Sequence, residues 1–145
     1  MKNIVLISCV SKKQDIAPEV TVKAEELYIS PLFKYALNYA KTLSDEIYIL
    51  SAKHHVLSLD TLITAYNVTL NRKKSNERKT WAQTVLSQLK SKGIDITTDH
   101  FTILAGKVYY KDIIGAGKIE NYKLEYQGLK GIGYILHYLK DKTSH

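Results

Sequence analysis

The side chains best suited to chemistry fall into three short polar runs, each directly after an apolar one. The first is Ser8-Cys9-Val10-Ser11-Lys12-Lys13. Small hydroxylated residues leave backbone N–H groups accessible and the two lysines add charge, so this run suits an anion. It lacks the glycines and the Gly-Lys-Ser/Thr ending of a Walker loop, and an ordinary polar turn is the alternative. Cys9 offers a thiol nucleophile or, as a lone cysteine at a strand end, a small packing residue. The second run, Ser51-Ala52-Lys53-His54-His55, is sharper. His54 can exchange a proton near neutral pH, and Asp60 can orient it or activate water. Lys53 can neutralise a phosphate or a developing negative charge, and Tyr66 can stack on a base. The alternative is a capped loop whose histidine bonds a nearby carbonyl. The third run holds Gly106, Lys107, Tyr109 and Tyr110. His54 and Asp60 are therefore the candidate catalytic residues. Ser8, Cys9, Ser11, Lys12, Lys13, Ser51, Lys53, Tyr66, Gly106 and Tyr109 are the candidate ligand contacts.

Other patterns carry less. Adjacent side chains diverge, so His54 and His55 make a poor metal pair, and His100 and the remaining acids show no ligand spacing. No structural metal and no cofactor are expected. Gly128, Gly131 and Gly133 superficially suggest a dinucleotide loop. That motif should follow the first strand and open the next helix, so these glycines read as a helix entrance.

Charge is concentrated. Of the net +7, a net +6 lies between Asn71 and Gly93, where seven cations face only Glu77. Arg72, Lys73, Lys74, Arg78 and Lys79 form its front half and are candidates for nucleic-acid backbone contact through counterion release. A solvated helix face is the alternative. Tyrosine is the dominant aromatic, 11 residues against two Phe and one Trp. A tyrosine can stack on a base while its hydroxyl bonds phosphate or water. Nothing approaches the ~18 apolar residues of a membrane span. The N-terminus lacks the apolar core and cleavage site of a secretory signal, and one cysteine forms no internal disulfide. A cytoplasmic location is expected.

The elements that must position these runs follow from periodicity. Asn3–Ile7, Glu46–Leu50 and Phe101–Ala105 are near-continuous apolar runs, as in parallel strands covered on both faces. Ser30 followed by Pro31 marks a helix start, and Leu32, Tyr35, Ala36, Tyr39, Ala40 and Leu43 continue it at helical spacing. A second helix is expected from Ser75 to Lys92, with Trp81, Val85 and Leu89 on one stripe and Gly93 as its stop. A third runs from Lys130 to Lys140, and a helical turn lies near Tyr110 to Ile114. Tyr122 to Tyr126 alternates and supplies a possible fourth strand. Strand–helix alternation predicts one α/β domain over residues 1–140, with a frayed tail at 141–145. Its architecture should be a small three-layer α/β/α sandwich whose mostly parallel sheet has three to four strands. The three polar runs then converge at the carboxyl ends of the strands, where open α/β sheets bind ligands.

Five spaced motifs carry a resemblance that covers most of the chain: Ser8-Cys9-Val10-Ser11-Lys12-Lys13, Tyr28-Ile29-Ser30-Pro31-Leu32-Phe33, Leu50-Ser51-Ala52-Lys53-His54, Ala65-Tyr66-Asn67-Val68-Thr69-Leu70 and Leu129-Lys130-Gly131-Ile132-Gly133. Together they resemble a bacterial and phage domain family of unknown function. In this chain His55 stands where that family tends to carry glycine. The Cys and Ser-Pro-Phe elements are distantly similar to a domain of archaeosine synthase, itself similar to the uracil-DNA glycosylase superfamily. The resemblance implies a parallel three-layer α/β/α sheet and a nucleobase, nucleoside or nucleic acid as ligand. The water-activating motif of the glycosylases is not visible here.

The leading expectation is an enzyme acting on a nucleobase, nucleotide or nucleic acid, by cleavage or exchange of an N-glycosidic bond. The alternatives are a non-catalytic module that binds nucleic acid or a nucleotide, and a phage or host protein that binds another protein.

Overall fold

The computed structural model describes residues 2–8, 16–66 and 68–143. In chain order they form β1 (Asn3–Ser8), β2 (Thr21–Lys23), α1 (Ala24–Leu27), α2 (Pro31–Leu43), β3 (Glu46–Ser51), β4 (His55–Ser58) and β5 (Leu62–Thr64). A 3-10 turn at Leu70–Arg72 leads into α3 (Ser75–Ser91), followed by β6 (His100–Leu104), α4 (Lys107–Gly115), β7 (Asn121–Leu124) and α5 (Ile132–Thr143).

The sheet has five strands in the order β4-β3-β1-β6-β7, one more than the upper expectation. β3, β1, β6 and β7 run parallel, and β4 joins the β3 edge antiparallel. The expected strand at Tyr122–Tyr126 is β7, ending at Leu124. β2 and β5 form a separate antiparallel pair. α5 extends through Thr143, beyond the limit the periodicity set, with residues 144–145 outside the described set.

Alternation along β1 divides the core, because successive side chains point to opposite faces. Ile4 and Leu6 pack with Phe101, Ile103, Trp81, Val85 and Leu89 under α3 and α4. Val5 and Ile7 pack with Ile49, Phe33, Ala36, Ala40 and Leu139 under α2 and α5. Helices therefore cover both faces of the sheet, giving the α/β/α sandwich that the apolar strand runs required. α2 begins as its residues dictate: Pro31 takes the first turn, and Ser30 Oγ accepts the Phe33 N–H at 3.2 Å.

β4 exists because the chain reverses within three residues, bringing His55 opposite Ser51. His55 makes that possible with φ = +66°, in the left-handed region. This is the position where the resemblance implies glycine, which adopts a left-handed backbone without a side-chain cost. A side chain there costs roughly 1–2 kcal/mol, although histidine tolerates the conformation better than β-branched residues. With no glycine between Ser51 and His55, the hairpin gave no turn signal.

Candidate functional site

β1, β3 and β6 lie side by side and parallel, so Ser8, Ser51 and Gly106 reach the same edge of the sheet. Chain direction switches beside β1: its connection leads to α2 on one face, while β6 leads to α4 on the other. Such a switch opens a crevice at the carboxyl ends. Cys9, Ser11, Lys12 and Lys13 lie outside the described residues.

Ser51 organises the second run from beneath. It is fully buried, and its Oγ accepts the N–H groups of His54 at 3.0 Å and Lys53 at 3.3 Å. Both lone pairs are then engaged, so its own hydroxyl donates to Tyr66 at 2.9 Å. Tyr66 shares a second hydroxyl–hydroxyl bond with buried Tyr28. Ser51 is thus a positioning residue rather than a surface contact for ligand, since no part of it is exposed.

His54 packs edge-on against the Tyr66 ring at 5.3 Å, and Lys53 Nζ lies 5.8 Å from the centre of that ring. Among the described residues the buried Nε2 of His54 has no hydrogen-bond partner. Burial, then the Lys53 ammonium and His55, hold the His54 imidazole below its ordinary pKa. His54 is therefore neutral at pH 7 and able to accept a proton. Burial also lowers the pKa of His55. Asp60 is not brought to this group. The antiparallel register of β4 carries the chain from His55 toward the amino end of β3, and Asp60 is exposed beyond it. Tyr66 returns to Ser51 only after the chain has passed through β5.

Beside the turn is a cleft of about 490 Å³, within the usual range for small-molecule sites. Its aromatic wall is Trp81 of α3 with the His55 ring, nearly parallel at 27° and 6.5 Å between centres. The indole N–H donates to Ser51 O at 2.9 Å, tying this wall to the same serine. Lys53 and Lys73 border the cleft as cations, and Asn76, Glu77 and Thr80 supply polar groups. Glu77 Oε1 also accepts the Lys74 N–H at 3.1 Å, closing the first turn of α3. Tyr109 backs the wall edge-on to Trp81 at 5.8 Å, and Gly106 is the residue preceding α4.

The structure thus gathers Lys53, Lys73 and His55 at one cleft, with Ser51, Tyr66 and His54 behind the turn. Arg72, Lys74, Arg78 and Lys79 flank it around the start of α3. Sequence reasoning placed Trp81 on the core stripe, and its 5% exposure agrees, yet it is also among the residues that line the cleft. Asn76 and Thr80 were not candidates and Glu77 was read only as a counter-charge; the i, i+4 spacing of Asn76 to Thr80 and of Glu77 to Trp81 was the signal available.

Part of the tyrosine richness serves packing. Buried Glu125, just after β7, accepts hydroxyls from Tyr39 of α2, at 3.0 Å, and Tyr138 of α5. Lys123 Nζ lies 3.4 Å from its other oxygen. Burial and this carboxylate raise the pKa of Tyr39, Tyr126 and Tyr138. These groups fasten two helices to the sheet. Among the described residues no three His, Cys, Asp or Glu side chains come together as a metal site, and no helix is long and apolar enough to cross a membrane.

The model of a family of unknown function, DUF6884, matches residues 4–141. An uncharacterized protein of Bacillus subtilis (strain 168), YfjM, is 34% identical over 144 residues, covering 96% of this chain and 93% of that protein. With its whole α/β core inside the matched region, the chain belongs to the DUF6884 family.

Proposed function

We propose that the chain binds a nucleotide or nucleic-acid base in the cleft between the β3–β4 turn and α3, and cleaves or exchanges its N-glycosidic bond. The observation that carries the reading is the cleft's composition. One recess of about 490 Å³ combines the flat wall of Trp81 and His55 with the ammonium groups of Lys53 and Lys73. A planar π system bearing phosphate matches both halves, since bases stack on aromatic faces and lysine holds phosphate as a point charge. In cleavage, water would add to the anomeric carbon while the C–N electron pair leaves on the base, which takes up a proton from solvent. Neutral His54 would receive the proton lost by water, and the Ser51–Tyr66–Tyr28 hydroxyl chain would hold the turn that carries it. In exchange, an incoming base replaces the water.

One observation favours the second reading, a binding module without turnover. His54 is not among the residues that line the cleft. A ligand could therefore occupy it without meeting the imidazole. The two readings separate by mass spectrometry of nucleosides, nucleotides and oligonucleotides incubated with the protein. Release of free base that is lost in a folded His54→Ala variant supports the enzyme. Binding without any product, unchanged in that variant, leaves the module.

A further inference from the structure

α3 separates two recesses. Asn76, Glu77, Thr80 and Trp81 face the cleft, whereas Ser75, Arg78 and Lys79 border a second pocket of about 320 Å³. Lys107 and Lys111 of α4 form its opposite wall, with Asp112 beside them. Helical spacing explains the grouping: Ser75, Arg78 and Lys79 stand at i, i+3 and i+4, and Lys107 and Lys111 at i and i+4. Four cations thus meet one carboxylate. Among the described residues none of the four has a carboxylate oxygen within ion-pair distance. Both helices also begin at this pocket, and neither N-cap residue has a side-chain acceptor, Gly106 having no side chain and Lys74 only a donor. The positive end of the α4 dipole therefore adds to the field of the side chains, whereas that of α3 is offset in part by Glu77, whose Oε1 accepts the Lys74 N–H at 3.1 Å. Like charges gathered without a counterion repel one another, and a bound anion removes that repulsion.

We propose that this second pocket seats a phosphodiester group of a single strand whose base enters the cleft. The substrate class is then a polynucleotide rather than a free nucleotide. The inference rests on the cleft reading above and extends it across α3. An α-helix with its side chains is roughly 10–12 Å wide, so one strand crossing the first turns of α3 reaches both recesses. A base must leave its stack to enter a pocket, which a single strand allows most readily.

The test compares a labelled ten-nucleotide single strand of mixed sequence, as DNA and as RNA, with four nucleoside monophosphates. Strand affinity is read by fluorescence anisotropy at several salt concentrations, and monophosphate affinity by calorimetry. Lys107→Gln with Lys111→Gln should weaken strand binding on the order of tenfold at low salt. It should also flatten the log–log salt slope by about 0.7 for each phosphate that is no longer neutralised. Monophosphate binding should not change. Lys90→Gln with Lys118→Gln removes the same charge elsewhere and should leave strand binding near wild type. Equal losses from the two pairs, or no strand binding by the wild type, overturn the proposal. A loss of monophosphate binding in the first pair overturns it too, because the pocket would then hold a free nucleotide's phosphate. Strand binding that needs Lys107 and Lys111, without monophosphate binding or any effect of Lys53→Gln, sinks the cleft reading and leaves the phosphate seat standing.

Discussion

The two ends of the parallel sheet are built on opposite principles. At the amino end polar side chains join the strands and turns in a hydrogen-bonded network. Asp99 accepts the N–H groups of Lys2 at 2.8 Å and Asp95 at 2.9 Å, tying the start of β1 to the turn before β6. Asp95 in turn accepts Thr97 N–H and hydroxyl and Thr98 N–H. Asn3 donates to Leu43 O, and Asn121 reaches Thr97 O and Thr98 O. At the carboxyl end, by contrast, among the described residues His54 Nε2 is buried without a partner, His55 holds a left-handed backbone, and Arg78, Lys79, Lys107 and Lys111 gather with no carboxylate oxygen within ion-pair distance. A fold can leave such costs in place where a ligand offsets them, and strained or unsatisfied groups concentrate at working sites. The amino end ties its strands together, and the carboxyl end carries the costs that the proposed ligand would offset, a readiness that can be tested.

The largest expected effect concerns that readiness. A nucleotide or strand at ~100 times its dissociation constant should add about 2.7 kcal/mol of stability. For a chain of this length the midpoint of thermal unfolding should rise by roughly 4–10 °C. Lys53→Gln with Lys73→Gln should abolish the rise, whereas Asp95→Asn at the closed end should lower the midpoint without changing the rise. A shift that survives the lysine pair would place the ligand elsewhere.

Ser51→Ala comes next. It leaves the Lys53 and His54 N–H groups and Tyr66 without their shared partner in a buried position, at a cost of about 1–3 kcal/mol by denaturant unfolding. A cost near zero would show that water replaces the hydroxyl and that the turn does not depend on it.

His55 gives a smaller effect with an unusual sign. At an ordinary position glycine is less stable than alanine, but at φ = +66° the order should reverse, with His55→Gly about 1 kcal/mol more stable than His55→Ala. Alanine equal to or above glycine would mean that the backbone relaxes out of the left-handed region.

The smallest effect is a difference in acid sensitivity. His54 and His55 have pKa values below 6.5 in the folded chain, so the unfolded chain binds more protons below that pH and acidification destabilises the fold there. Asp95 is held down to about 2 by the Thr97 and Thr98 donors, and Asp99 is lowered by the Lys2 and Asp95 N–H groups. Their contribution is complete above the ordinary 3.8 and is lost as pH falls below it, that of Asp95 as pH approaches about 2. Hydrogen exchange should therefore quicken around residues 52–56 between pH 6.5 and 5, after correction for intrinsic rates. Residues 94–100 should hold until pH falls below about 4. Simultaneous loosening of both ends would erase the distinction between them.

The sequence by itself determined the layers of this protein. Continuous apolar runs at Asn3–Ile7, Glu46–Leu50 and Phe101–Ala105 demand cover on both faces. Ser30-Pro31 and the Trp81, Val85, Leu89 stripe supply helices for that cover, so local periodicity and capping sufficed. It also marked Lys53 and His54 as notable, because the fold class alone puts polar residues just after an apolar strand at the crevice end of the sheet. Only the tertiary structure decided the rest. The β3–β4 hairpin depends on a backbone angle that histidine does not advertise, and Asp60 leaves the site because that hairpin reverses the chain. The cleft joins Lys53 to Trp81, and the second pocket joins Arg78 to Lys107, residues that meet only when α3 packs across the sheet beside α4. Periodicity reports which face of an element is buried, but which faces come together is set by the crossovers between strands. In this protein those crossovers place the cations and the aromatic wall on the two flanks of one helix.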